Sequence, residues 1–316
     1  MTYKKRLIIL LSLIGVMALT YALSIIFSYD RSNSRSSSYV WLDPKSAERA
    51  SRISIDNTFE KYELVKKENK WFVNYNGNEF PAKSLRIEDF LSFFTARSQW
   101  PVRSASASAH ERFGLDDNAA RITIYGEYSV ILDVLSGYYD NIGKDIYFRK
   151  VGQNEVRSGN SGIYSYITGA ITGWYNLRLF PGSIDGSIDS GSVQRVTVYN
   201  EEETQVFTRR NRTWDVSGIT LENPDISGIE NYVSYIINAE GEDFAGADSV
   251  SGFNFDYSRI VLEFGDGSVT TIRISEPDEA DKRYAKLSGS SLTYVIPLWV
   301  SLRLFRDAGS FSADSF

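Results

Sequence analysis

Apolar and polar residues alternate with a period of two along Ile53-Ser54-Ile55, from Tyr62 to Lys66 and around Trp71. That is the pattern of strands with one buried face. Asn69-Lys70 marks a turn before the Trp71 strand, so the stretch reads as a three-stranded antiparallel meander. Ile87, Phe90, Leu91 and Phe94 then recur at helical spacing and predict one amphipathic helix. Arg121 to Tyr125 and Val130 to Val134 follow as a strand pair, and Tyr147 lies in another.

The pattern then returns. Val196-Thr197-Val198, Gln205 to Arg209 and the Trp214 strand form a second meander, with its turn at Asn211-Arg212. Ile226, Ile229, Val233, Ile236 and Ile237 predict a second helix, with Asn223 as cap and Pro224 at its first position. Ile260 to Phe264 and Val269 to Ile274 are joined by Gly265-Asp266-Gly267-Ser268, a hairpin turn in which glycines reach positive φ freely. Trp71 and Trp214 are 143 residues apart, and the same offset carries Ile53 to Val196, Leu64 to Phe207, Phe90 to Val233 and Phe94 to Ile237. The offset is 137 between Tyr147 and Tyr284, and it falls to 125 where Trp174-Tyr175-Asn176-Leu177-Arg178-Leu179-Phe180 returns as Trp299-Val300-Ser301-Leu302-Arg303-Leu304-Phe305. A stepwise decline is what loop deletions in the second copy produce. The expected fold is therefore α+β, with two tandem, duplicated antiparallel sheet-plus-helix modules over residues 39–190 and 191–316. Each helix covers one face of its sheet, and each Trp-x-x-Leu-Arg-Leu-Phe motif closes its module as a short helix.

Ahead of the modules, Leu7 to Phe27 is an uncharged, mainly apolar run of 21 residues. As a helix it would extend about 32 Å, enough for the hydrocarbon core of a bilayer. The expectation is an N-terminal transmembrane helix over residues 7–27, single-pass. Lys4, Lys5 and Arg6 place residues 1–6 in the cytoplasm and the bulk of the chain outside it. A cleaved secretory signal is the alternative, disfavoured by the length of the run and the lack of a small-x-small cleavage site. Gly15, Ala18 and Ala22 fall on one side of that helix and form a candidate helix-packing face. Residues 28–38, rich in serine and arginine, read as a flexible linker.

Candidate chemistry changes this picture little. The chain has no cysteine, which excludes disulfides, thiolate metal sites and a lipoprotein anchor. A net charge of -6 argues against nucleic acid as partner. His110 is the only histidine and lacks a spaced nucleophile or carboxylate, and no Gly-x-Ser-x-Gly elbow is present. Asp185, Ser187 and Asp189 imitate the start of a calcium loop, which fails at Ser190 and Val196. No metal and no cofactor is expected, and no enzymatic activity. Trp71, Trp214, Trp174 and Trp299 read as repeated core anchors, with sugar- or peptide-stacking platforms as the alternative. Arg178 and Arg303, held between leucines, read as structural clamps that pair with a carboxylate or carbonyl.

The order of features carries a resemblance. An N-terminal apolar run, the strand ending Lys70-Trp71-Phe72-Val73, the helix, Arg112-Phe113-Gly114-Leu115-Asp116 before a strand and the closing Trp-x-x-Leu-Arg-Leu-Phe resemble the bacterial domain-of-unknown-function 4340 family. Its members are membrane-tethered and often encoded beside gliding-motility-type ABC transporter subunits. In the second copy Phe-Gly-Leu becomes Phe253-Asn254-Phe255, a departure from the family pattern. The resemblance implies a non-enzymatic, membrane-anchored accessory protein of an ABC-type transport or cell-envelope system, acting through protein–protein contacts. It implies a place in the bacterial inner membrane, with the bulk periplasmic and an integral membrane transporter or envelope protein as partner. An envelope glycan- or peptide-binding module is the alternative.

Overall fold

The computed structural model describes residues 14–17, 19–21, 38–140, 142, 144–182, 188–201, 203–211, 213–217, 223–246 and 248–312. Among the described residues the protein is mostly β-sheet, with 40% in strands against 26% in helices, which corrects the expected α+β balance. Among the described residues, no helix is long and apolar enough to cross a membrane. Of the expected span only residues 14–17 and 19–21 are described, and they are helical and exposed. The transmembrane helix, the single-pass inner-membrane placement with a periplasmic bulk and the membrane partner that followed from them are therefore withdrawn. Gly15 lies on the described helix with open space around it, whereas Ala18 and Ala22 lie outside the described residues.

In chain order the first half forms strands β1 (Arg52–Asp56), β2 (Lys61–Lys67), β3 (Lys70–Tyr75) and β4 (Asn78–Pro81), then helix α1 (Ser84–Thr95). Strands β5 (Val102–Ser104), β6 (Ala120–Tyr125), β7 (Val130–Asp140), β8 (Asp145–Lys150) and β9 (Val156–Asn160) follow, with the short helix α2 (Tyr164–Thr168). The second half forms β10 (Val193–Tyr199), β11 (Thr204–Arg210), β12 (Thr213–Ser217), helix α3 (Ile226–Asn238) and β13 (Asp243–Ala245). It ends with β14 (Ser258–Phe264), β15 (Val269–Ile274), β16 (Arg283–Leu287), β17 (Thr293–Ile296) and helix α4 (Leu298–Leu304).

The chain divides into two compact units, residues 1–66 with 88–169 and residues 67–87 with 170–316. The expected division was 39–190 and 191–316; here the β3–β4 hairpin and residues 170–190 both belong with the second unit. In the first unit the strands run β2-β1-β6-β7-β8-β9-β5, each pair antiparallel. Period-two alternation puts Ile53, Ile55, Leu64, Ile122, Ile124, Val134 and Phe148 on a buried face, with Phe90 and Phe94 of α1 buried in the same unit. Phe94 meets Phe148 edge-on at 6.3 Å.

In the second unit the sheet runs β12-β11-β10-β14-β15-β16-β17-β13. Ile229, Tyr232, Val233, Ile236 and Ile237 of α3 are buried in its core. Asp225, not Asn223, caps α3: its carboxylate accepts from the Gly228 N–H at 3.0 Å. Pro224 lies before the helix, in a bridge to Ser312. The β3–β4 hairpin contributes Phe80, which stacks on Phe244 at 5.0 Å, and Tyr175 packs against both rings.

The strand order β2-β1-β6-β7-β8-β9-β5 is matched element for element by β11-β10-β14-β15-β16-β17-β13. Before α1, the Lys83 N–H donates to the Trp174 carbonyl and Ala82 bridges Tyr175; before α3, the Asp225 N–H donates to Phe311 and Pro224 bridges Ser312. The counterpart of Trp174 is thus Phe311 rather than Trp299. Both close a four-residue 3₁₀ turn, Ile171–Trp174 and Ala308–Phe311. The offset of 137 read at Tyr147 and Tyr284 continues unchanged to this pair. It also matches buried Ile163 with Val300 and Ile167 with Leu304. At the helices the offset is 142, from Lys83 to Asp225, so Phe90 matches Tyr232 and Phe94 matches Ile236, one residue away from the expected pairing.

Candidate functional site

The residues singled out in the sequence part company. Trp71 on β3 and Trp214 on β12 are both buried. Trp174 is 1% exposed, with the Arg86 guanidinium 5.1 Å from its ring. Trp299 is 60% exposed, which corrects the expectation of four buried anchors. The reason is helical geometry: at 100° per residue, Val300 and Leu304 turn inward and carry Trp299 to the other side. The arginines also differ. Arg178 donates to Asn238 Oδ1 at 2.8 Å and lies 3.8 Å from the Glu240 carboxylate, which Lys83 also approaches at 3.3 Å. Arg303 is exposed and lies over the rings of Trp299 and Tyr235, at 5.8 and 5.7 Å. The shared clamp is corrected: only Arg178 meets a carboxylate.

Two features stand out in the second unit. The first is the outer face of α4. Val300, Ser301 and Leu304 are buried, and the Tyr232 hydroxyl donates to the Leu304 carbonyl at 2.6 Å, so the helix is held in a fixed orientation. On its other side Leu298, Trp299 and Leu302 are 46%, 60% and 65% exposed. Trp299 and Leu302 are three residues apart and share a helix face. Arg303 and Arg306, both exposed, give this apolar face a basic border. Sequence reasoning missed it because the short repeated motif was read as one structural element. The inward pair Val300 and Leu304, matched to Ile163 and Ile167, is the signal that locates it.

The second feature is a pocket of about 310 Å³ between the β11–β12 hairpin and α3. Arg209 and Trp214 are directly paired across the two strands, and the guanidinium sits 5.6 Å from the indole centroid. On the helix side Glu230, Asn231 and Ser234 line the opening, with Val233 and Ile237 beneath. The hairpin places its two residues side by side because paired strand positions point to one face. Glu230, Ser234 and Ile237 share one flank of α3 by i, i+4, i+7 spacing.

Other candidates for chemistry are used up in structure. The His110 ring bonds the Asn154 carbonyl at 3.1 Å. Phe113 packs on Tyr147 at 4.7 Å as Phe253 packs on Tyr284 at 4.9 Å, so the aromatic half of the Phe-Gly-Leu element is repeated. Gly114 has φ +66° and a Cβ there would meet the Tyr138 ring at 2.6 Å, so this turn excludes side chains on steric grounds. Bidentate bonding to Arg121, with Thr123 as a further donor, holds the Asp133 carboxyl below its ordinary value. Among the described residues no group of three or more His, Asp or Glu could hold a metal ion. Asp185 and Ser187 lie outside the described residues. No protein-family model matches the sequence, and neither does any curated protein.

Proposed function

We propose that this protein is a non-enzymatic accessory component that acts through protein–protein contacts, with α4 as its contact surface. The observation that supports this reading is the outward face of Leu298, Trp299 and Leu302 on a helix whose opposite side is anchored in the core. Large apolar side chains grouped on a rigid surface are costly in water and are a mark of interaction sites. Trp and Arg together are the residue types that dominate binding energy when an interface closes over them. The resemblance of the chain to membrane-tethered proteins encoded beside ABC transporter subunits supports an ABC-type transport or cell-envelope system as the setting. The test is affinity capture with the tagged full chain from cells that express it, with mass spectrometry asking whether ABC-type transport or cell-envelope subunits are retained. The paired substitution Trp299→Ser and Leu302→Ser should abolish capture of those subunits while leaving thermal unfolding unchanged. Undiminished capture by the variant would show that α4 is not the contact surface.

A further inference from the structure

We infer that the pocket between the β11–β12 hairpin and α3 is a saccharide-binding site, a role separate from the contact face on α4. Its volume of about 310 Å³ lies at the lower end of the range of small-molecule sites, roughly 300 to 1,000 Å³, and suits a sugar ring rather than a folded partner. Its lining combines a guanidinium, a carboxylate, an amide and a hydroxyl, from Arg209, Glu230, Asn231 and Ser234. The first three are planar groups with paired donors or acceptors, the geometry that engages adjacent hydroxyls of a pyranose two at a time. One cation and one anion in the lining match a ligand of no net charge. Trp214, Val233 and Ile237 supply an apolar wall for the C–H face of a sugar ring.

A second observation supports a selected lining rather than a chance gap. With the offsets of 143 for the strands and 142 for the helices, Lys66, Trp71, Glu88 and Ser92 are the counterparts in sequence of Arg209, Trp214, Glu230 and Ser234. Cation, indole, carboxylate and hydroxyl recur together although Glu230 and Ser234 are exposed and no core packing demands them.

The test is saturation-transfer NMR on the full chain with glucose, N-acetylglucosamine, maltose and chitobiose as probes, and glycine and glutamate as zwitterionic comparators. The expected result is transfer to ring protons of at least one sugar and to neither amino acid. Glu230→Gln and, separately, Ser234→Leu, both at exposed helix positions, should weaken that binding about tenfold or more with unchanged thermal unfolding. Absence of transfer to every sugar, transfer that survives both substitutions, or preference for the amino acids would overturn the assignment. None of these outcomes depends on whether α4 binds a protein.

Discussion

Phe311 holds in the second half of the chain the place that Trp174 holds in the first. Each offers its backbone carbonyl to the residue just before a module helix, Trp174 to Lys83 and Phe311 to Asp225, both at 2.8 Å. Both side chains are almost completely buried. Trp174→Ala and Phe311→Ala should therefore each destabilise the fold by about 3 to 5 kcal/mol. Trp299→Ala, at an exposed position, should change stability by no more than about 0.5 kcal/mol. Urea denaturation of the three variants checks this. A large loss at Trp299 would restore the original pairing of the two tryptophan motifs.

Tyr232 ties α3 to α4 through its hydroxyl bond to the Leu304 carbonyl. Tyr232→Phe leaves that buried carbonyl without its donor and should cost about 1 to 3 kcal/mol. Hydrogen exchange should quicken in α4 first. Protection unchanged across residues 298–304 would show that the helix is held by packing alone.

Burial raises the Tyr232 hydroxyl far above its ordinary value and pushes Tyr294 up to about 12. Both tyrosines are thus neutral in the fold and ionise more readily in the unfolded chain. The stability they supply is complete below the unfolded value of 10.0 and is lost as pH rises from there toward the folded values. Thermal unfolding followed from pH 9 upward should show a steep decline, and Tyr294→Phe should make it shallower. An identical slope in the variant would contradict the assignment.

Asp133 behaves in the opposite sense. Its carboxyl is depressed below 3.8 by Arg121, so the pair stabilises the fold above the unfolded value and the contribution disappears as pH falls through the folded one. Asp133→Asn should lower stability at neutral pH and flatten the acid limb of the stability curve below about pH 4. An acid limb as steep as in the unsubstituted chain would place the loss elsewhere.

The meanders, both helices and the hairpin pairs were legible in the chain because each rests on a local period, two for strands and 3.6 for helices. The repeat was legible at Trp71 and Trp214, where strand alternation fixes which side chains turn inward. It was misread at Trp174 and Trp299, because five matching letters in a seven-residue segment outweighed the constant offset of 137. Letters alone cannot show that one copy runs from a 3₁₀ turn into extended chain while the other lies on a helix. The site followed the same rule. Trp214 was visible as a repeated aromatic, whereas Glu230 and Ser234 lie off the apolar period of α3 and join Arg209 and Trp214 only through the packing of α3 beside the β11–β12 hairpin. Departures from the expected domain boundary arose from long-range packing, since Phe80 finds its partners in Tyr175 and Phe244.

The most direct test of α4 as the contact surface is site-specific photo-crosslinking in cells. A benzophenone amino acid would be placed in turn at Trp299, at Leu302 and at Phe59, an exposed aromatic position in the first unit. The account predicts one discrete protein adduct, shared by positions 299 and 302, with mass spectrometry identifying an ABC-type transport or cell-envelope component, and no such adduct at position 59. Loss of the adduct at both α4 positions, or the same adduct at position 59, would contradict it.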